Sequence, residues 1–311
     1  MKAIQVERFG GPEVLQLAEL AVPQPGEGEA LIRVHRAGVN FADLSRREGV
    51  YGSRHLPQIM GVEVAGVRQD TGERVVALLL QGGGYAEYAA APEHLVFGIP
   101  DRVSDEAAVA LFEQGLTAYD VLFTMGHLKA GETVVVHAAA GGVGSLAVQL
   151  AKLHGARVIA VASSESKRAL ALGLGADAAI DAGSSGLTER ILEANQNCKV
   201  NLVLEMVGGE VFDQSLAAVA PFGRLVVYGQ ASDIPNQVST DDLMGGSKAV
   251  IGYWLWHTLE QRDQTERTLE RLFSLNQQGK LQPVMGAVLP LHQAAEAHRQ
   301  LGTRQPPESF F

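Results

Sequence analysis

Apolar residues in the second half of the chain form short β-branched runs separated by helical repeats. Strands are predicted at Thr133–Val136, Arg157–Ala162, Ala178–Asp181, 201–206 and 224–228, and helices at 167–174, Leu187–Ala194 and 211–220. Regular alternation of strand and helix is typical of a parallel sheet. The pattern therefore predicts an α/β fold with a doubly wound sheet that binds its ligand at the carboxyl ends of the strands.

The first hundred residues follow a different pattern, because short strands alternate with turns rich in glycine and proline. Strands are predicted at Lys2–Val6, 15–20, 30–34, 61–67 and Arg74–Leu78, and another after the glycines at 82–84. This pattern is typical of a small β-barrel or sandwich. The composition shifts at Ser104, a predicted helix N-cap with Asp105 and Glu106 in the first turn.

The chain after residue 228 predicts an apolar strand at 250–256, a polar helix at 259–276 and a strand at 281–289 that returns to the first domain. A length of 311 residues favours two domains. We expect a β-rich domain at 1–114, completed by 280–311, and an α/β domain at 115–279.

The charge and composition of the chain limit which binding partners and which cellular compartment are expected. A formal net charge of −10 argues against nucleic acid and acidic membranes, which require a basic face. No apolar run approaches the roughly 20 residues of a membrane span, and residues 1–7 do not resemble a signal peptide. Cys198 is the single cysteine, so neither an internal disulfide nor a thiolate zinc cage can form. We expect a cytoplasmic protein.

A glycine loop follows the first strand of the α/β region. Ala140, Gly141, Gly142, Val143 and Gly144 complete an A-x-G-x-x-G sequence between a strand and a helix, which is the fingerprint of a dinucleotide site. The glycines permit close backbone approach to a pyrophosphate, and the helix directs free N–H groups and its dipole at that phosphate. The other interpretation is a glycine turn that only lets a helix pack closely.

The second strand of this region predicts which dinucleotide binds. A site that prefers NAD places Asp or Glu at the end of that strand, whereas this chain has Ala162 there. The next helix opens with hydroxyls and cations, which suit a 2′-phosphate: Ser163, Ser164, Lys167 and Arg168. We therefore predict NADPH, with Glu165 directed to solvent. The alternative is an ordinary capped surface helix whose Lys and Arg side chains lie in water.

Four segments carry a family pattern: AGVNFAD at 37–43, GVEVAGV at 61–67, GLTAY at 115–119 and AAAGGVG at 138–144. Together with the β-rich amino-terminal region, they closely resemble the quinone oxidoreductases of the medium-chain dehydrogenase/reductase superfamily. The resemblance implies a GroES-like β-barrel catalytic domain joined to a Rossmann cofactor domain. It also implies a homodimer and a small-molecule substrate.

By the same resemblance, Asn40 and Tyr51 line the cleft that faces the nicotinamide, and Thr117 lies under the cofactor ring. From the residues alone, Asn40 could be a turn residue, Tyr51 a barrel-edge aromatic and Thr117 a helix-capping hydroxyl. Ser45 stands where some relatives carry a second tyrosine. Stacking of a quinone between tyrosines is therefore not expected.

Further cofactor contacts are implied at the ends of later strands. Val207 ends one strand, and Tyr228, Gly229 and Gln230 end the next, where relatives contact the ribose and the diphosphate arm. Tyr253 closes over the same crevice in the family pattern, although it could equally serve packing or an interface. Its strand at 250–256 is predicted at the sheet edge, where an apolar edge favours pairing with a second chain.

No metal is expected in the site. Catalytic zinc needs about three Cys, His or carboxylate ligands. In the zinc-dependent alcohol dehydrogenases of the superfamily, those ligands fall at the positions of Asn40, Val62 and Glu113 here, and neither Asn nor Val can replace them. Without a Lewis acid, alcohol oxidation is disfavoured.

The predicted activity is metal-free, NADPH-dependent reduction of a quinone by hydride transfer, since a quinone needs only hydrogen-bond donors as charge develops. Two alternatives remain open: an enone or enal (C=C) reductase, and a dinucleotide-binding protein without significant turnover. The chain departs from the family in a shorter loop after Val67 and in Pro306 and Pro307, which cannot be interior strand residues.

Overall fold

The structure, a computed structural model, describes residues 1–52 and 55–303, so Pro306 and Pro307 lie outside the described residues. The chain forms two compact units: Met1–Glu113 together with the chain from Leu259 onward, and Gln114–Thr258. The first boundary adjoins the expected one at 114, whereas the second lies at 259, where 280 was expected. Among the described residues, no helix is long and apolar enough to cross a membrane.

The amino-terminal part of the first unit is mainly β, as predicted. Its elements in chain order are β1 (Lys2–Val6), β2 (Gln16–Glu19), β3 (Glu29–Ala37), α1 (Phe41–Arg47), β4 (Gln58–Ile59), β5 (Glu63–Arg68), β6 (Arg74–Leu78), β7 (Tyr88–Pro92), β8 (Val96–Gly98) and α2 (Asp105–Ala110). Antiparallel pairing orders them into two sheets, β2-β1-β4 and β7-β3-β5-β6-β8. An isolated antiparallel bridge pairs Ala3 of β1 with Ala86, which precedes β7.

The second unit is a doubly wound parallel sheet. Its elements are α3 (Leu116–Tyr119), β9 (Thr133–Val136), α4 (Gly142–Leu153), β10 (Arg157–Ala162), α5 (Glu165–Gly173), β11 (Ala178–Asp181), α6 (Leu187–Ala194), β12 (Val200–Glu205), α7 (Glu210–Ala218), β13 (Val219–Val227), α8 (Thr240–Gly246), β14 (Ala249–Gly252) and α9 (Leu255–Leu259). The strand order β11-β10-β9-β12-β13-β14 reverses between β9 and β12. Ligands of such sheets bind at this switch point.

The core explains why the strands of this sheet are apolar throughout. Val135, Ile159, Val203 and Leu225 come from four neighbouring strands, are fully buried and pack in one cluster. Helices cover both faces of such a sheet, so strands without alternating polar residues are favoured.

The predicted strand at 250–256 is too long. β14 ends at Gly252, because its partner β13 ends at Val227, which is the residue paired with Gly252. The chain then turns, and α9 begins at Leu255. The pattern of apolar residues does not indicate where β14 ends, because apolar residues continue into α9.

The predicted strand at 281–289 is wrong, because the structure has no strand in that range. Pro283 lacks the N–H group that a ladder needs. The polar helix is α10 (Arg262–Gln277), and a last helix follows, α11 (Ala294–Gly302). Ala297 and Leu301 of α11 pack into the same cluster as Ile4 of the first unit.

Candidate active site

The glycine loop lies where β9 ends and α4 begins, next to the switch point. Gly141 is the N-cap residue of α4. A Cβ on Gly144 would lie 2.2 Å from the carbonyl oxygen of Ala138, and a Cβ on Gly142 would lie 2.3 Å from the side chain of Gln114. Backbone excludes a side chain at Gly144, whereas a side chain at Gly142 would have to displace the end of the Gln114 side chain. The loop therefore brings the N–H groups of α4 close to the end of β9.

The end of β10 has the arrangement on which the NADPH prediction rests. Ala162 is the last residue of the strand, and the Ser164 hydroxyl caps α5 by accepting the backbone N–H of Lys167 at 3.3 Å. The capped helix of the alternative interpretation is therefore present. Lys167 is only 5% exposed, so its side chain does not lie in water as that alternative requires, whereas Ser163 and Glu165 are exposed.

A buried carboxylate that the sequence analysis did not identify lies at the end of β12. Glu205 is fully buried, and its Oε1 accepts the backbone N–H groups of Val207 at 2.6 Å and Gly208 at 2.9 Å. Burial raises the pKa of Glu205, and the N–H groups oppose that shift. Its Oε2 has no hydrogen-bond partner within the described residues. Glu205 thus fixes the turn that carries Val207.

Tyr228, Gly229 and Gln230 follow β13 beside this carboxylate. The N–H of Tyr228 donates to the carbonyl oxygen of Glu205 at 3.0 Å, and burial together with the charge of Glu205 raises the pKa of Tyr228. Gly229 packs against Met206, since a Cβ there would lie 3.1 Å from the Met206 Cβ. Gln230 is exposed. The structure therefore brings the predicted residues of these two strand ends together.

Thr117 and Tyr253, 136 residues apart in the sequence, belong to one hydrogen-bond network around Asp120. The Tyr253 hydroxyl donates to Asp120 Oδ2 at 3.0 Å, and Thr258 donates to the same oxygen at 2.8 Å. Thr124 donates to Asp120 Oδ1 at 2.6 Å, and Thr117 hydrogen-bonds with Tyr253. Asp120 is fully buried. The Tyr253 hydroxyl is thus directed to a carboxylate of its own unit, and Thr117 lies within α3 rather than at its cap.

In the first unit, Asn40 connects two carboxyl groups. Its Nδ2 donates to Glu63 Oε1 at 2.7 Å and to Glu113 Oε2 at 2.8 Å, and an amide nitrogen has only two hydrogens. Asn40 is also the N-cap of α1, and its backbone N–H donates to Asp43 Oδ2 at 2.9 Å. Both amide hydrogens of Asn40 are therefore directed to carboxyl groups, and its predicted place facing the nicotinamide stays a prediction.

Burial dominates the electrostatics of this cluster. It raises the pKa of Glu63 well above its usual range, and the neighbouring charge of Glu113 raises it further. Burial followed by the charge of Asp43 raises the pKa of Glu113 to about 8, and burial raises that of Asp43 to about 6. At neutral pH the Glu63–Glu113 pair therefore retains a proton.

Asn40 and Glu113 of this cluster stand at two of the three positions compared with zinc ligands, and Val62 stands at the third. Val62 is an apolar residue, 6% exposed. Within residues 1–52 and 55–303, no three His, Cys, Asp or Glu side chains are arranged to hold a metal ion. Tyr51 is half-buried after α1, where its N–H donates to the Ser45 carbonyl oxygen at 3.3 Å. Its predicted place facing the nicotinamide stays a prediction.

Comparison with known proteins agrees with both units. Residues 26–101 match the family model of the alcohol dehydrogenase GroES-like domain, and residues 142–274 match that of zinc-binding dehydrogenases. A quinone oxidoreductase of Pseudomonas aeruginosa is 33% identical over 98% of this chain and 97% of its own length. A 2-haloacrylate reductase of a Burkholderia species is 30% identical over 97% and 96%.

A solved structure extends the match to three dimensions. The quinone oxidoreductase of Escherichia coli complexed with NADPH is 32% identical, with a TM-score of 0.93 over 100% of this chain and 99% of that one. Full-length identity above 30% and the same two-part fold carry the assignment. The chain therefore belongs to the quinone oxidoreductases of the medium-chain dehydrogenase/reductase superfamily, and it is an oxidoreductase.

Proposed function

We propose that this chain reduces a quinone by hydride transfer from NADPH without a metal. The observation that carries the proposal is the Asn40 amide hydrogen-bonded to Glu63 and Glu113, beside the apolar Val62. Two of the three positions at which zinc-dependent members hold their metal, Asn40 and Glu113, are hydrogen-bonded to each other here, and the third is the apolar Val62. A substrate whose own carbonyl draws the hydride suits such a site.

The second unit has the residues to hold NADPH. The glycine loop and the N-terminus of α4 suit the pyrophosphate, and Ala162 leaves the end of β10 without a carboxylate of its own. When bound, NADPH supplies the hydride. The related Escherichia coli enzyme was solved with NADPH, which supports the same cofactor for this chain.

The buried carboxyl pair suits the other half of the reaction. Reduction of a quinone to a hydroquinone takes up a proton as well as a hydride. A carboxyl group that stays protonated at neutral pH can donate a hydrogen bond to an oxygen on which negative charge develops. Glu113, which is half-buried, is the member of the pair proposed for this role, and Asn40 orients it.

A second candidate is reduction of a C=C bond conjugated to a carbonyl. The relative from Burkholderia is described as a 2-haloacrylate reductase, and an acrylate carries a C=C bond next to a carboxyl group. The same cofactor geometry can direct a hydride to carbon. The third candidate, a dinucleotide-binding protein without turnover, predicts NADPH binding and no oxidation with any acceptor.

Steady-state oxidation of NADPH with 1,4-benzoquinone, 9,10-phenanthrenequinone and a small enone separates the three candidates. We expect the quinones to give the higher kcat/KM. A higher value with the enone would favour the second candidate. Saturable binding of NADPH with no oxidation would support the third.

A pair of N-cap variants tests the carboxyl cluster. Asn40→Ala removes a helix cap and the link to both carboxyl groups. Ser104→Ala removes the cap of α2, where Ser104 Oγ accepts the Ala107 N–H at 3.2 Å, together with a hydrogen bond to Glu106, and leaves the Asn40 hydrogen bonds in place. We expect Asn40→Ala to lower kcat by about tenfold or more, the usual scale for an oriented acid, with NADPH affinity unchanged. Equal kcat values for the two variants would contradict the proposed role.

A further inference from the structure

An ion pair lies at the strand ends where the cofactor ribose is expected. Arg168 Nη1 donates to the carbonyl oxygen of Ala162 at 3.1 Å and to Asp181 Oδ2 at 2.9 Å. The guanidinium group, carried by α5, is therefore held at the carboxyl end of β10. Arg168 is the second of the two cations in this helix, and it is the more accessible one, because Lys167 is 5% exposed and the Arg168 side chain is 27% exposed.

The register between β10 and β11 places Asp181 beside the carboxyl end of β10. Ala162 and Asp181 are paired residues of the parallel strands β10 and β11, so their backbones are about 4.8 Å apart. A site that prefers NAD places its carboxylate at the end of the second strand. In this chain a carboxylate lies one strand further along, where linear inspection of the sequence does not reveal it.

We propose that Arg168 binds the 2′-phosphate of the cofactor, and that Asp181 competes with the phosphate for this guanidinium and so sets the preference for NADPH over NADH. The inference rests on the proposed NADPH site and adds the pair that determines its specificity. A phosphate monoester carries up to two negative charges and three acceptor oxygens, and a guanidinium can bind it through two parallel hydrogen bonds.

The ion pair is weak enough to be exchanged for a phosphate. The Asp181 side chain is 54% exposed, and exposed ion pairs contribute little to stability. Asp181 also accepts the N–H of Gly183 at 2.9 Å. That hydrogen bond, and then the charges of Arg168 and Arg190, lower the pKa of Asp181, so it stays a carboxylate. Without Arg168, only the charge of Arg190 would remain to oppose this carboxylate beside the phosphate.

Binding measurements on fragments of the cofactor test the pair without any turnover. Adenosine 2′,5′-bisphosphate carries the 2′-phosphate, and 5′-AMP lacks it. Titration calorimetry with both ligands is done on the wild type, Arg168→Ala and Asp181→Asn. The Asn side chain keeps an oxygen for the Gly183 N–H. Lys152→Ala is the matched control, because Lys152 pairs with Asp177 at 2.8 Å next to the opposite end of β11, with 32% and 29% exposed side chains.

We expect Arg168→Ala to weaken the bisphosphate by about tenfold or more, the scale of a charged hydrogen bond, and to leave 5′-AMP within twofold. Asp181→Asn should strengthen the bisphosphate by about two- to fivefold, whereas a purely structural ion pair would give weaker binding. Lys152→Ala should change neither ligand by more than twofold.

Two results overturn the inference alone: a wild-type preference for the bisphosphate that survives Arg168→Ala, or an Asp181→Asn variant that binds it no better than the wild type. A wild type that binds 5′-AMP as tightly as the bisphosphate would overturn the NADPH assignment itself, and the inference with it. If Arg168→Lys keeps the preference for the bisphosphate over 5′-AMP, a positive charge at this position is sufficient. If Arg168→Lys loses that preference, the two parallel hydrogen bonds of the guanidinium are required. Both results support the assignment of Arg168.

Discussion

Replacement of Glu113 by Gln is predicted to stabilise the protein at neutral pH. In the folded chain, Glu113 lies against Glu63 and Asp43, and burial followed by the charge of Asp43 raises its pKa from 4.5 to about 8. A glutamine keeps an oxygen that can accept the Asn40 amide hydrogen now bonded at 2.8 Å. It carries no charge to desolvate, and it can donate towards Glu63.

The magnitude follows from linkage. Because the folded pKa lies above the unfolded one, the contribution of Glu113 to stability is complete below about pH 4.5 and is lost as the pH rises towards 8. Between the unfolded and the folded pKa, each pH unit lowers the free energy of unfolding by about 1.4 kcal/mol. Because Glu113 stays protonated only in the folded chain, the loss between pH 4.5 and pH 7 is about 3 kcal/mol. Glu113→Gln should recover up to that amount at pH 7. It should also lower the pKa of Glu63 by removing a neighbouring charge.

Denaturant unfolding at pH 5, 6, 7 and 8 measures the effect on chelator-treated protein. The wild type should lose stability over this range more steeply than Glu113→Gln. Glu106→Gln is the control, and its effect on stability should have the opposite sign. Glu106 accepts a hydrogen bond from Arg36 at 2.7 Å, and its pKa is lowered. This variant should destabilise the protein by at most about 1 kcal/mol. A Glu113→Gln variant that is less stable than the wild type at pH 7, or that has the same pH slope, would refute the reasoning.

Four further predictions are independent of that variant. Elemental analysis should find no stoichiometric zinc, and activity lost to EDTA and restored by zinc would contradict the metal-free proposal. Light scattering at micromolar concentration should give about twice 33.0 kDa, since β14 is the last strand of its sheet and an open edge favours pairing; a monomeric mass would be the contrary result. Ala162→Asp should abolish or reverse the preference for NADPH, and Lys167→Ala should erode it, whereas equal weakening of NADPH and NADH would show that the pocket is elsewhere. Tyr253→Phe should lower the free energy of unfolding by about 1.5–3 kcal/mol, the scale of a hydrogen bond to a charged group, and should leave NADPH affinity unchanged, because the hydroxyl belongs to the network around Asp120; a tenfold loss of affinity would identify a cofactor contact.

The sequence by itself determined the local features of this protein. The glycine loop could be recognised because its spacing involves only neighbouring residues, and because the backbone contact at Gly144 permits no side chain. The order of strands and helices in the second unit followed from side-chain periodicity, and the predicted bounds of β10, β11 and α6 agree with the structure. These features depend on residues that are neighbours along the chain.

Tertiary structure decided which distant residues meet. Asn40 lies 23 residues from Glu63 and 73 from Glu113, and no sequence period indicates that one amide bonds both. Asp181 lies beside Ala162 because of strand register. β14 ends where its partner β13 ends. Pairing and burial between separated segments fix these outcomes, and they also set the pKa values, because desolvation depends on what the fold places around a carboxyl group.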